Sequence, residues 1–121
     1  MKSAGAPAPI GPYSQAIASG DWLHCSGQIA LDPESGELVA GGIVAEARQV
    51  LRNLEAVLEE AELGFADVVK TTIYLTDLAD FAKVNEIYAE FVTPPFPARA
   101  TVGVAALPRG AKVEIDLVAR R

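Results

Sequence analysis

The residues best suited to chemistry are an arginine and an acid near the end of the chain. Arg99 has a planar guanidinium that can hold a carboxylate through two parallel charge-assisted hydrogen bonds and so fix the plane of a bound anion. Glu114 has a carboxyl that can orient a water molecule and exchange protons with it. Taken singly, Arg99 reads more often as a surface ion-pair residue at a strand start than as a ligand clamp, and Glu114 as an exposed carboxylate on a strand. Other reactive types are poorly placed. His24 and Cys25 are adjacent, so in a strand they point to opposite faces and cannot ligate one metal; with no further His or Cys, a zinc site is not expected. Ser14 and Ser26 with a single histidine make no credible triad, since there is no Gly-x-Ser-x-Gly elbow. Gly41-Gly42 precedes a helix, but no phosphate-loop lysine follows.

The elements that must position Arg99 and Glu114 follow from periodicity. Residues 1–12, rich in Ala, Pro and Gly, read as an extended arm. Short strands are expected at Ala16–Ser19 and Trp22–Ile29, joined by Gly20-Asp21, whose first glycine suits a type II′ turn. Leu31 to Gly36 is turn chemistry. From Ile43 to Leu63, Val44, Ala47, Val50, Leu51, Leu54, Val57, Leu58 and Ala61 recur at three- and four-residue steps. This predicts an amphipathic helix with Gly64 as its C-terminal cap. Its outer face, with Arg48, Arg52, Glu55, Glu59 and Glu62, reads as solvated. A strand at Val68–Leu75 leads through Thr76-Asp77 into a second helix that gathers Leu78, Phe81, Val84, Tyr88 and Phe91 on one face and ends before Pro94-Pro95. Two strands, Ala98–Ala105 and Lys112–Ala119, close the chain around Pro108-Arg109-Gly110. The order ββαβαββ predicts one α+β domain over residues 1–121, with both helices on one face of the sheet.

Read as a hairpin, the last two strands pair Gly103 with Glu114. That register puts Ala100, Val102, Val104, Val113, Ile115 and Leu117 on an apolar face under the helices, and Arg99, Thr101, Gly103, Lys112, Glu114 and Asp116 on a polar face. Tyr74, Thr72 and Val118 join the polar side. An antiparallel sheet can leave such a face wet, but aromatic and apolar groups among charges are also the pattern of an association surface.

Composition narrows the function classes. The chain has 121 residues and a net charge of −6, with a pI near 4.7. This field works against nucleic acid or anionic membrane as the main partner. A lone cysteine precludes an intrachain disulfide. Residues 1–9 lack a signal-peptide apolar core, and no stretch reaches membrane-span length, so the expected compartment is the cytoplasm.

Four ordered segments, Gly11-Pro12-Tyr13-Ser14-Gln15-Ala16, Ser26-Gly27-Gln28-Ile29, Phe96-Pro97-Ala98-Arg99 and Val113-Glu114-Ile115-Asp116, resemble the Rid/YjgF (reactive intermediate deaminase) family across nearly the whole chain. Val69-Lys70-Thr71-Thr72 and Val84-Asn85-Glu86-Ile87-Tyr88 extend the likeness. The resemblance implies a chorismate-mutase-like α+β fold, assembled as a homotrimer with sites in the clefts between subunits. It also implies hydrolysis of 2-imino acids such as 2-iminobutanoate and 2-iminopropanoate to 2-keto acids and ammonia, with no cofactor. In that reading Arg99 holds the substrate carboxylate and Glu114 positions water, while Tyr13, Ser26, Gly27, Asn85 and Thr101 form the pocket, Tyr13 from a neighbouring subunit. Many members carry cysteine where this chain has Thr101, so that position is assigned lining and hydrogen bonding, not nucleophilic attack. The short Thr93-Pro94-Pro95 loop bears on substrate preference. The competing functions are a non-catalytic carboxylate-binding or regulatory trimer on the same scaffold, an endoribonuclease, which the acidic charge disfavours, and a chaperone.

Overall fold

The computed structural model describes residues 1–121. Ala16–Ser19 (β1) and Trp22–Gln28 (β2) form a hairpin in which Ser19 pairs with Trp22; Gly20 takes φ 59°, as the first position of a II′ turn requires. Helix α1 spans Gly42–Glu60, strand β3 Val68–Leu75, helix α2 Phe81–Ala89, strand β4 Ala98–Gly103 and strand β5 Val113–Arg120, so the expected element order holds. The single sheet is mixed, in the order β1-β2-β5-β3-β4.

The order within the sheet overturns one expectation. β4 and β5 are not a hairpin. β5 runs antiparallel between β2 and β3, while β4 lies at the edge, parallel to β3. The α2 crossover from β3 lays β4 beside β3 in the parallel sense, and β5, although it runs antiparallel to β4, has both edges taken by β2 and β3, so the pairing that the Pro108-Arg109-Gly110 turn had favoured does not form. The faces of β4 invert in consequence. Arg99, Thr101 and Gly103 stand beside Thr71, Ile73 and Leu75 on the helix side, and Ala100 and Val102 stand beside Thr72 and Tyr74 on the open side. On β5 the expected faces are kept: Val113, Ile115 and Leu117 are buried, and Glu114 and Asp116 face outward beside Tyr74 and Thr72.

Both helices cover one face. Ala47, Val50, Leu51, Leu54, Val57 and Leu58 of α1 are wholly buried against Leu23, Ile73, Leu75, Ile115 and Leu117 of the sheet in one apolar cluster. Such burial contributes about 1.5–3 kcal/mol per large side chain relative to an exposed one. The helix ends earlier than its pattern indicates. Glu62, not Gly64, takes the left-handed conformation (φ 60°), and Leu63 N–H donates to Leu58 O while Glu62 N–H donates to Glu59 O, a Schellman closure. Gly64 instead opens a short 3₁₀ turn whose Asp67 carboxylate accepts from its N–H at 2.9 Å. In the second helical segment Val84 and Tyr88 are buried, but Leu78 and Phe81 remain exposed at its start; there they meet β4 rather than the core.

Candidate functional site

Arg99 stands at the outer edge of the sheet beneath α2. Its guanidinium lies 5.0 Å from the centre of the Tyr88 ring and 5.4 Å from that of Phe81, and Nη1 donates to Asn85 Oδ1 at 2.7 Å. Positions 81, 85 and 88 share one face of α2 because they are three and four residues apart. Tyr88 is in turn fixed by its hydroxyl, 2.8 Å from Thr71 Oγ1. No carboxylate of the chain pairs with Arg99; the ion pairs are Arg48–Glu90 and Arg109–Glu37. The partners of Arg99 are thus two ring faces and an amide oxygen, which orient the cation without neutralising it. A cleft of about 430 Å³ opens beside it, lined by Asn85, Tyr88, Ala89, Val92, Phe96, Pro97 and Arg99. Thr101 continues the same face one pleat further, and its hydroxyl is buried without a hydrogen-bond partner.

Glu114 lies elsewhere, on the open face. Between Cys25 and Gln28 the β2–β5 register slips by one residue, a bulge that leaves Ser26 and Gly27 opposite Asp116. The Glu114 side chain crosses Gly27 so closely that a Cβ there would lie 2.6 Å from its Oε2 and 3.2 Å from its Cγ. Glycine is therefore needed for the approach, not for a special φ. Burial, and then the charge of Asp116, push the Glu114 carboxyl above its ordinary value of 4.5. Asp116 accepts a 2.9 Å hydrogen bond from the Tyr74 hydroxyl, and this bond is the main reason the Tyr74 phenol is also raised. A cleft of about 190 Å³ joins Glu114 and Gly27 to Tyr13, Ile10, Gln15 and Pro108. Ser26 is next to it. Its hydroxyl donates to Ser14 O at 2.6 Å and its N–H to Gln15 O at 2.9 Å, fastening the segment that carries Tyr13.

The seven residues singled out from the sequence therefore separate into two groups. Arg99, Asn85 and Thr101 occupy the helix side at the β4 edge; Tyr13, Ser26, Gly27 and Glu114 gather on the open side around the bulge. The shared polar face expected for Arg99 and Glu114 does not exist within one chain, because β4 pairs with β3 and not with β5. Sequence reasoning placed Phe81 and Tyr88 together on a helix face but missed that they stack on Arg99; the three- and four-residue spacing to Asn85 was the available signal. Gln15 lay inside the Gly11-Pro12-Tyr13-Ser14-Gln15-Ala16 segment but was given no role, because its bonds to Ser3, Ala6 and Pro7 are not readable from local pattern. His24 is exposed on the open face and Cys25 buried beneath it, as alternation requires. Burial pushes the Cys25 thiol up to about 12, so it is not a nucleophile at neutral pH. No group of three or more His, Cys, Asp or Glu side chains is arranged to hold a metal ion, and no helix is long and apolar enough to cross a membrane.

A mixed sheet backed by two helices, with a cationic edge and an acidic cleft, defines the class to which known proteins can be compared. The family model described as Endoribonuclease L-PSP matches residues 3–121. Protein DfrA of Myxococcus xanthus is 56% identical over 116 residues, covering 94% of this chain and 88% of that protein. The 2-iminobutanoate/2-iminopropanoate deaminase of Mus musculus is 54% identical over 114 residues, covering 94% and 84%. The crystal structure of RidA from the Antarctic bacterium Psychrobacter sp. PAMC 21119 superposes with a TM-score of 0.96 at 45% identity, covering 99% of this chain and 97% of that one. The chain belongs to the Endoribonuclease L-PSP family, the Rid/YjgF family, and its α+β architecture is the chorismate-mutase-like fold of those relatives.

Proposed function

We propose that the protein hydrolyses small 2-imino acids to 2-keto acids and ammonia, at sites that combine the Arg99 cleft of one copy with the Glu114 cleft of another. The observation that carries this reading is Arg99 itself: a guanidinium held in place by Asn85, Tyr88 and Phe81 with no acid to neutralise it is a receptor for a carboxylate. The mouse relative's name supplies the substrate class.

The rest follows from the chemistry of the substrate. With the carboxylate on Arg99, the adjacent imine carbon is already electrophilic and needs only water and proton transfer. Glu114 accepts a proton from the attacking water as the C–O bond forms, and delivers it to nitrogen. Collapse of the resulting carbinolamine breaks the C–N bond and releases ammonia and the keto acid. A carboxyl raised by burial is better matched to passing a proton both ways near neutral pH than an ordinary glutamate is. Tyr13, Ser26 and Gly27 wall the acidic half, and Asn85 and Thr101 the cationic half.

Because Arg99 and Glu114 lie on opposite faces of the sheet, one chain cannot supply both to one substrate. The open face, with Ile17, Trp22 and Val102 exposed on it, is the surface across which we place the neighbouring copies of a homotrimer. The test is complementation. Arg99→Ala and Glu114→Gln chains are assayed separately for release of 2-ketobutyrate from freshly generated 2-iminobutyrate, then unfolded, mixed and reassembled. Each alone should retain about a hundredth of wild-type activity or less. The mixture should recover about a quarter of wild-type activity, the share of interfaces in a random ring that pair two intact halves. No recovery in a mixture shown to contain mixed assemblies would rule out the shared site, and an inactive wild type would rule out the activity.

A further inference from the structure

The N-terminal arm is fastened by one side chain. Gln15 is almost wholly buried. Its Oε1 accepts from Ser3 N–H at 2.6 Å, and its Nε2 donates toward Ser3 O, Ala6 O and Pro7 O at 3.2, 3.4 and 2.8 Å. No other hydrogen bond ties residues 1–12 to the body of the chain; the remaining bonds of the arm are local, Gly5 N–H to Ser3 Oγ and Tyr13 N–H to Gly11 O. The arm's apolar anchorage is small, Ala6 in the main apolar cluster and Gly5 beside Ala56 of α1. On one side is the Glu114 cleft, and on the other a second cavity of about 360 Å³ lined by Lys2, Ser3, Ala6 and Pro33; Ala8 and Gln15 line both.

We infer that Gln15 is a specificity-determining positioning residue, a latch that holds the arm as the partition between these cavities and so limits the size of the substrate side chain the Glu114 cleft admits. This rests on the reading of that cleft as half of the imine site. The physical basis is the cost of an unmade hydrogen bond. With the amide in place the arm's Ser3, Ala6 and Pro7 carbonyls are satisfied while buried; without it they must turn to water, which lifts the arm. The two cavities then merge, and the cleft gains room beside Glu114 without any substitution at Arg99, Glu114 or Tyr13.

The experiment compares wild type with two variants of the full chain. Gln15→Leu keeps the side chain's bulk and removes its polar groups. Gly5→Val leaves Gln15 intact but wedges the arm off α1, since even a Cβ at position 5 would lie 3.1 Å from Ala56 Cβ. Hydrogen exchange of the peptide spanning residues 1–14, read against α1, reports the latch. Calorimetric binding of 2-oxobutanoate and phenylpyruvate, the products of a small and a bulky imine, reports cleft size independently of turnover, and kcat/KM for the two imines reports selectivity. Both variants should exchange fast in the arm and slowly in α1, and should shift the bulky-to-small ratio about tenfold toward the bulky ligand. A variant whose arm is released while the ratio stays at its wild-type value in binding and turnover would overturn the inference, as would an arm in Gln15→Leu as protected as in wild type. If wild type binds both keto acids but turns over neither imine, the proposed activity fails while the binding ratio still decides the latch. If wild type binds neither, the Arg99 cleft does not hold a carboxylate, and the proposed function and the latch both fall. Should Gln15→Leu lose protection in α1, it has not folded, and Gly5→Val decides.

Discussion

The β4 edge and the bulge cleft hold their charged groups in opposite ways. Arg99 is gripped by polarisable rings and an amide, all neutral, so its charge is fixed in direction but left for a ligand. Glu114 is pressed across a glycine beside a second acid, and the same packing that fixes it makes its charge costly. One region is built to keep a charge and the other to make a proton transferable. On the proposed reading the two half-sites serve different steps, carboxylate binding and proton transfer, and should fail in different ways.

The largest loss is expected at Arg99. If Arg99 holds the substrate carboxylate as proposed, replacement by alanine should lower kcat/KM by roughly two orders of magnitude or more, read as keto acid release. Glu114→Gln preserves shape and should lower kcat by about a hundredfold while leaving keto acid binding nearly intact; equal loss of binding would place Glu114 with Arg99 in anchoring. Gly27→Ala sharpens the contrast, because the added Cβ displaces the Glu114 carboxyl and nothing near Arg99. It should reduce kcat by about tenfold to a hundredfold with little change in thermal stability. Asn85→Ala frees the guanidinium from one partner while both rings stay. An increase in KM of about tenfold is expected, the worth of one hydrogen bond to a charged group.

The smallest effect is on stability. The folded-state pKa of Glu114 lies above its unfolded value, so the folded protein binds that proton more tightly. The resulting stability is present below about the ordinary 4.5 and is lost as pH rises through the folded value. Glu114→Gln carries no such loss. Its melting temperature relative to wild type should therefore be higher at pH 8 than at pH 4; the reverse ordering would mean that the carboxylate gains a favourable partner in the assembled protein.

Much of this was legible in the chain. The apolar recurrences from Ala47 to Leu58 and the alternation from Val68 to Leu75 gave the helix and the strand, because each element's own period decides which residues can share a face. The resemblance named Arg99, Glu114, Tyr13, Ser26, Gly27, Asn85 and Thr101, and the fold places every one of them beside one of the two clefts or on a strand that lines it, Ser26 through its bond to Ser14. The hairpin drawn between Ala98 and Ala119 was illegible for a definite reason. A turn sequence such as Pro108-Arg109-Gly110 fixes only local chain reversal, whereas strand pairing is a competition among all available edges. Here β5 has β2 and β3 as neighbours, and β4 is left with β3 alone.

The sequence by itself thus determined which segments are helix or strand and which residue types could bind a carboxylate or carry a proton, since both depend on neighbours within a few positions. Only the tertiary structure decided that Arg99 turns toward α2 while Glu114 turns away from it, and that a buried glutamine fastens the arm. Those outcomes rest on contacts between residues far apart in the chain, Arg99 with Asn85 and Gln15 with Ser3, and no local period records them.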